Sequence, residues 1–200
     1  MHSVTEIARQ AVEQMPPACR FRPEDAQVIY EHKELLLGLE REVVQGFYDT
    51  VYGHGPTAAI FVEGERPDRE ATLSHWWRRT VNGPLNDQYF AWMATVGLVH
   101  VLRGVQNPMM LAMTDWTVGV LADNVAHAAI GQTDGERLVE AFRRLASTVG
   151  AIITLGYDQA VVDALYNVAG MPEALLRRLR DQEVASALER AREEIRRPPR

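Results

Sequence analysis

Residues 86–108, NDQYFAWMATVGLVHVLRGVQNP, constrain this chain more than any other stretch. Tyr89, Met93, Val96 and His100 recur at the three- to four-residue spacing of one helix face, with Arg103-Gly104 a turn further on. Asn86 suits the N-cap, and Asn107-Pro108 suits a turn that opens the next helix at Pro108. His100 is the only histidine on this otherwise apolar helix, with Gly97 one turn before it and Gly104 one turn after it. A glycine inside a helix costs about 1 kcal/mol relative to alanine. Two of them beside one imidazole suggest that something broad and flat approaches the backbone. The same spacing also suits a core histidine bonded to a carbonyl, with the glycines serving tight helix packing.

The rest of the chain reads as helix after helix. Ser3-x-x-Glu6 is a capping box for a short helix over 3–15, which Pro16-Pro17 stops. Such a leading helix is expected as a packing arm or dimer contact. A second helix runs from Phe21 to about Leu37, Gly38 bends the chain, and 39–53 follow as a third. Gly53, Gly55 and Pro56 break it, and TAAIFVEG is a short helix or turn. Pro67 opens a helix that Asn82-Gly83-Pro84 ends. After the histidine helix, residues 108–130 are apolar on more than one face, as expected of a helix buried in its fold or in an oligomer interface. Thr133-x-x-Glu136 reads as a second capping box for a long helix over 134–169, with a bend expected near Gly150 or Gly156. A last, charged amphipathic helix covers 172–197 and ends in a frayed RRPPR tail. No period-two alternation is long enough to make a sheet, so the class is all-α with about eight helices. The expected divisions are an N-terminal extension at 1–19, a main domain at 20–170 and the charged helix and tail at 171–200.

Composition limits the partners. The chain has 200 residues, is 46% hydrophobic and 24% charged, and carries a net charge of -6. That describes a globular chain rather than a disordered one and disfavours nucleic acid as a partner. Cys19 is alone, which rules out a disulfide or a cysteine-based metal site within one chain. The N-terminus has no apolar signal region, and the longest apolar run, AWMATVGLVHVL, falls short of a membrane span. A cytoplasmic, soluble protein is the expectation. The six histidines fall in no H-E-x-x-H or similar spacing. His32 and His75 read as solvent-facing or capping, and His127 as packing in an oligomer.

An imidazole on an apolar helix can serve as the axial ligand of haem iron. In that role His100 offers one ring nitrogen, and the other would donate to a carbonyl one turn back, near Val96. Phe61, Met93, Val96, Val101 and the Met109/Met110/Met113 group could supply apolar walls, although each also suits ordinary core.

The ordered set Phe47-Tyr48-Asp49, Trp76-Trp77, the Gly83 turn, Tyr89, Val96-Gly97-Leu98-Val99-His100 and Val105-Gln106-Asn107-Pro108 resembles the protoglobins and the globin domains of globin-coupled sensors. The likeness covers roughly residues 20–170 and implies a globin-like fold with extra terminal helices. It implies haem b as cofactor, His100 as the proximal ligand and Tyr48 as the distal hydrogen-bond donor. Thr72 and Leu73 match distal positions above the ring, Phe61 matches an aromatic wedge at its edge, and Trp77 and Trp76 read as partly exposed or wall residues without an assigned role. Gly97 and Gly104 then read as clearance, and Arg69 or Arg103 as a partner for a haem propionate. The stretch RGVQNPMMLAM departs from the family pattern, in which an aromatic follows the proline, and no output domain is expected after the globin.

Three functions follow as expectations. The first is reversible binding of a diatomic gas (O2, CO or NO) as a sensor or ligand-binding protein. It would act as a homodimer through the helices at 108–130 and 134–169, with a separate signalling partner as an option. The second is haem-based turnover of NO or peroxide; no Ser-His-Asp or paired-carboxylate set suggests any other enzyme. The third is a haem-free helical interaction module.

Overall fold

The helical periodicity forms ten helices and no strand among residues 2–196, the part of the chain that a computed structural model describes. These are α1 (Val4–Gln14), α2 (Pro23–Glu31), α3 (Lys33–Gly38), α4 (Glu40–Gly53), α5 (Gly55–Ala58), α6 (Arg66–Asn82), α7 (Asp87–Arg103), α8 (Asn107–His127), α9 (Gln132–Ala169) and α10 (Glu173–Arg196). The all-α, globin-like class with extra terminal helices holds. Ser3 caps α1 by accepting from the Glu6 N–H at 3.2 Å, and Asn86 caps α7 by accepting from the Tyr89 N–H at 3.1 Å.

Several boundaries differ from the sequence expectation. The second helix splits into α2 and α3 at His32, which leaves the helical region at φ -107 and ψ 18. The stretch after Pro56 contributes the short helix α5, and these two changes raise eight helices to ten. Thr133 does not cap α9, which already begins at Gln132. Helix α9 runs without interruption through Gly150 and Gly156. The tail residues 197–200 lie outside the described residues.

Two compact units divide the chain, one over His2–Ala160 and one from Val161 onward. In the first, the core joins Ile29 and Leu36 to Trp77, Tyr89, Met93, Leu121, Phe142, Leu145 and Ile152, all essentially inaccessible to solvent. Helix α1 lies against α7 and adds Ile7, Ala8 and Ala11 to that core. In the second unit, α10 has no buried residue and leaves Leu175, Leu179, Val184, Leu188 and Ile195 exposed. Residues 132–168 are long and apolar enough to cross a membrane by length and composition. Counting uninterrupted apolar runs passes over this helix. Its row Leu138, Phe142, Leu145, Ile152 is committed to the core.

The α7–α9 crossing explains the costly glycine at position 97. A Cβ there would stand 2.5 Å from the Ile153 carbonyl oxygen and 2.7 Å from the Tyr157 nitrogen. On the other side, a Cβ at Gly156 would stand 2.9 Å from the Ala94 carbonyl oxygen. The two backbones touch, and only small residues permit it. Gly104 serves another purpose. At φ +73 it is the left-handed C-cap of α7, with nothing within 4 Å of the place a Cβ would occupy. The reading of Gly97 as clearance for a flat ligand is therefore corrected. Gly97 provides clearance for α9, and Gly104 ends the helix.

A buried ion pair ties α9 to α2. Asp25 is 3% exposed and accepts from Arg144 Nε at 2.9 Å, with a second contact from the other guanidinium nitrogen, and its Oδ2 also accepts from the Arg22 N–H at 2.9 Å. Removing one partner strands a buried charge, so Asp25→Ala should cost about 3 kcal/mol or more, read as a lower urea midpoint. A loss near zero would mean that water already reaches the pair. Gly97→Ala should cost about 2 kcal/mol by overpacking, against about 1 kcal/mol for Gly104→Ala from left-handed strain. Equal midpoints for Gly97→Ala and wild type would contradict the backbone crossing.

Candidate functional site

The first unit carries a partly open cavity of about 410 Å³, within the range of small-molecule and cofactor sites. Helices α4, α6, α7, α8 and α9 all contribute walls. The crossing at Gly97 turns the row Met93, Val96, His100 and Arg103 toward this space. Phe47 and Tyr48 line it from α4, Thr72, Leu73 and Trp76 from α6, and Met109, Met110 and Met113 from α8.

His100 is the cavity's one imidazole. Burial holds its pKa below the ordinary histidine value, so the ring is neutral near pH 7 and has a lone pair to offer a metal. Its Nδ1 is buried with no hydrogen-bond partner. The expected donation to a carbonyl near Val96 is absent, which corrects that expectation: the backbone does not fix the tautomer. An unsatisfied buried polar atom costs about 1–3 kcal/mol.

Tyr48 is 7% exposed, and its hydroxyl donates to the Arg69 carbonyl at 3.0 Å. Burial pushes the phenol up to about 12, keeping it a neutral donor. Phe61 packs edge-on against the Tyr48 ring at 6.1 Å and so fixes its plane. The threonines of the cavity spend their hydroxyls on main-chain oxygens: Thr72 on Asp68, Thr95 on Trp92, Thr114 on Met110, Thr117 on Met113 and Thr57 on Val51. All but the last of these bonds are made within a single helical turn. Tyr48 differs because its bond crosses from α4 to α6 and can be exchanged by moving one side chain.

The structure gathers His100, Tyr48, Phe61, Thr72, Leu73, Met93, Val96 and Met113 around one space. It does not bring Trp77, Gly97, Val101 or Gly104 to it. Trp77 is fully buried in the core, where its Nε1 donates to the Leu36 carbonyl at 2.8 Å; its neighbour Trp76 reaches the cavity instead. Val101 lies one step around the helix from His100 and misses the lining row. The sequence reading missed Trp92, Thr95 and Val99 on α7, and Phe142, Leu145, Ala146, Val149 and Ile153 on α9. The α9 set repeats at helical spacing and reads as core, but spacing cannot separate a wall of packed atoms from a wall of an open space.

Among the described residues no group of three or more His, Cys, Asp or Glu side chains could hold a metal ion. A metal bound at His100 must therefore bring most of its own ligands, as a porphyrin does. His75 is exposed and edge-on to Trp92 at 5.8 Å, and His32 Nδ1 lies 2.9 Å from the Val28 oxygen. His127, expected in oligomer packing, is exposed, with Nδ1 2.7 Å from the Asp123 oxygen.

No curated relative matches the sequence. The family model described as Protoglobin matches residues 10–160, which carry α4 to α8, the cavity and the part of α9 that lines it. An imidazole and a phenol facing one apolar space in an all-helical chain accord with that match, and the chain belongs to the protoglobin family.

Proposed function

We propose that this chain binds haem b through His100 and reversibly holds a diatomic gas, O2, CO or NO, beside Tyr48. The observation that carries the reading is the pairing of His100 from α7 and Tyr48 from α4 on one apolar cavity. The residues suit the group: a neutral imidazole with no competing hydrogen bond at Nδ1, and walls of methionine, aromatic and aliphatic side chains. Haem b, when bound, supplies an iron atom that takes the gas. The protein supplies the ligand nitrogen of His100, apolar walls, and the Tyr48 hydroxyl. To donate to the gas, that hydroxyl leaves the Arg69 carbonyl, so its net contribution is the difference between two hydrogen bonds.

The same reading takes the chain as a cytoplasmic gas sensor or ligand-binding protein that pairs with a second copy through α8 and α9. Half-exposed Leu111 on α8 supports that pairing.

Two measurements test it. The purified protein should show a Soret band that His100→Ala loses; a colourless protein that ignores added haemin would remove the proposal. Tyr48→Phe should release O2 about fivefold faster at most, the kinetic equivalent of a net gain of about 1 kcal/mol when the hydroxyl exchanges the Arg69 carbonyl for the gas. An unchanged release rate would show that Tyr48 adds nothing to gas retention.

A further inference from the structure

From Tyr52 to Trp76 no residue is buried. The other parts of the cavity wall are anchored in the core, through Val43 on α4, Trp77 on α6, Met93 on α7, Leu121 on α8 and Leu145 on α9. Residues 54–65 belong to the wall all the same, because Thr57, Ile60 and Phe61 line the cavity. Open space stands where a Cβ would be at Gly53 and Gly55, and also at Gly64, which turns the chain at φ +83.

On the α4 side this segment is held by ring contacts, Phe61 with Tyr52 at 5.1 Å and with Tyr48 at 6.1 Å. Thr57 adds a hydrogen bond there, its Oγ1 donating to the Val51 carbonyl at 2.5 Å. On the α7 side a charge holds it. Arg103 donates to Glu65 Oε1 at 2.5 Å, and the same guanidinium lies over the Phe61 ring at 5.7 Å. Both partners of this ion pair reach solvent, at 27% and 17% side-chain exposure. Glu65 also accepts from the Val62 N–H at 2.9 Å, which ties the end of the segment to the same acid.

We propose that residues 54–65 are a strap over the cavity, hinged on α4 and latched to α7 by the Glu65–Arg103 pair, and that a flat ligand enters and leaves by lifting it. The proposal rests on the haem reading for the identity of that ligand. Lifting the strap breaks one partly exposed ion pair and one cation–ring contact while the core stays packed. Parting any two of the other wall helices unpacks buried side chains, and local opening follows the segment with the fewest of them. The latch belongs to the closed strap and not to the ligand, so it governs the rate of exchange rather than the affinity.

The test joins the strap to α7 in the apoprotein of Cys19→Ser/Glu65→Cys/Arg103→Cys, with a short bis-methanethiosulfonate linker that dithiothreitol removes. Haemin uptake, followed as growth of the Soret band, should slow at least about tenfold with the linker in place and recover on its removal. Without a linker, Glu65→Gln should speed haemin uptake and haemin loss alike by about fivefold, leaving their ratio unchanged. Amides of residues 57–62 should exchange hydrogen faster by a similar factor in that variant, while those at the centre of α7 stay as in wild type. Uptake that the linker leaves unchanged, with the Soret band still dependent on His100, overturns the strap and leaves the haem reading standing. A Glu65→Gln effect on loss alone also overturns it, since that is the mark of a residue that holds the ligand itself. Failure of wild type to take up haemin overturns the haem reading and this inference together.

Discussion

Backbone contact between α7 and α9 governs the geometry of everything else in the first unit. With Gly97 set against Ile153 and Tyr157, and Gly156 against Ala94, the two helices meet without side chains between them. That contact sets the rotation of α7. It sends Ala94 and Gly97 toward α9 and leaves the row through Met93, Val96, His100 and Arg103 facing the cavity. Helix α1, packed against α7, and the Asp25–Arg144 pair, which joins α2 to α9, hold the same arrangement from other sides. A helix so close to its neighbour cannot rotate by a few tens of degrees without a backbone clash, because packed interiors yield little. The position of one imidazole is thus determined by two glycines that never touch the cavity.

The cavity itself is made apolar by more than its aliphatic walls. Five threonine hydroxyls face it, yet each is committed to a main-chain oxygen. The groups that remain available are the His100 ring, the Tyr48 hydroxyl through exchange with Arg69, and the two arginines around Glu65. In a low-dielectric space each such group counts for more than it does in water. A neutral imidazole, a neutral phenol and two arginines form a short inventory, and the proposed haem suits it.

Much of the fold was legible in the sequence because helical periodicity, caps and breakers are local signals. Asn86, Ser3 and the Gly83 turn read correctly on their own. His32 did not, because ending α2 there is a backbone choice with no glycine or proline to mark it. Tyr48, His100 and Phe61 were found through the ordered family motif, and the structure gathers them around one space. Gly97 was noticed for the right reason, its cost, but given the wrong neighbour, since spacing shows that something comes close without showing what. Trp76 and Trp77, read alike, part for a related reason: adjacent helical residues differ by about 100°, so Trp76 reaches the cavity while Trp77 packs in the core. The α9 wall was invisible as a wall because its residues pack on one side and line a space on the other.

The central proposal is that His100 is the protein's ligand to the iron of a bound haem. The most direct measurement is resonance Raman spectroscopy of the ferrous, gas-free haem protein prepared with heavy-nitrogen-labelled histidine. An iron–nitrogen stretching band should shift with the label, vanish in His100→Gly and return when free imidazole is added. A band that persists unchanged in His100→Gly would contradict the account.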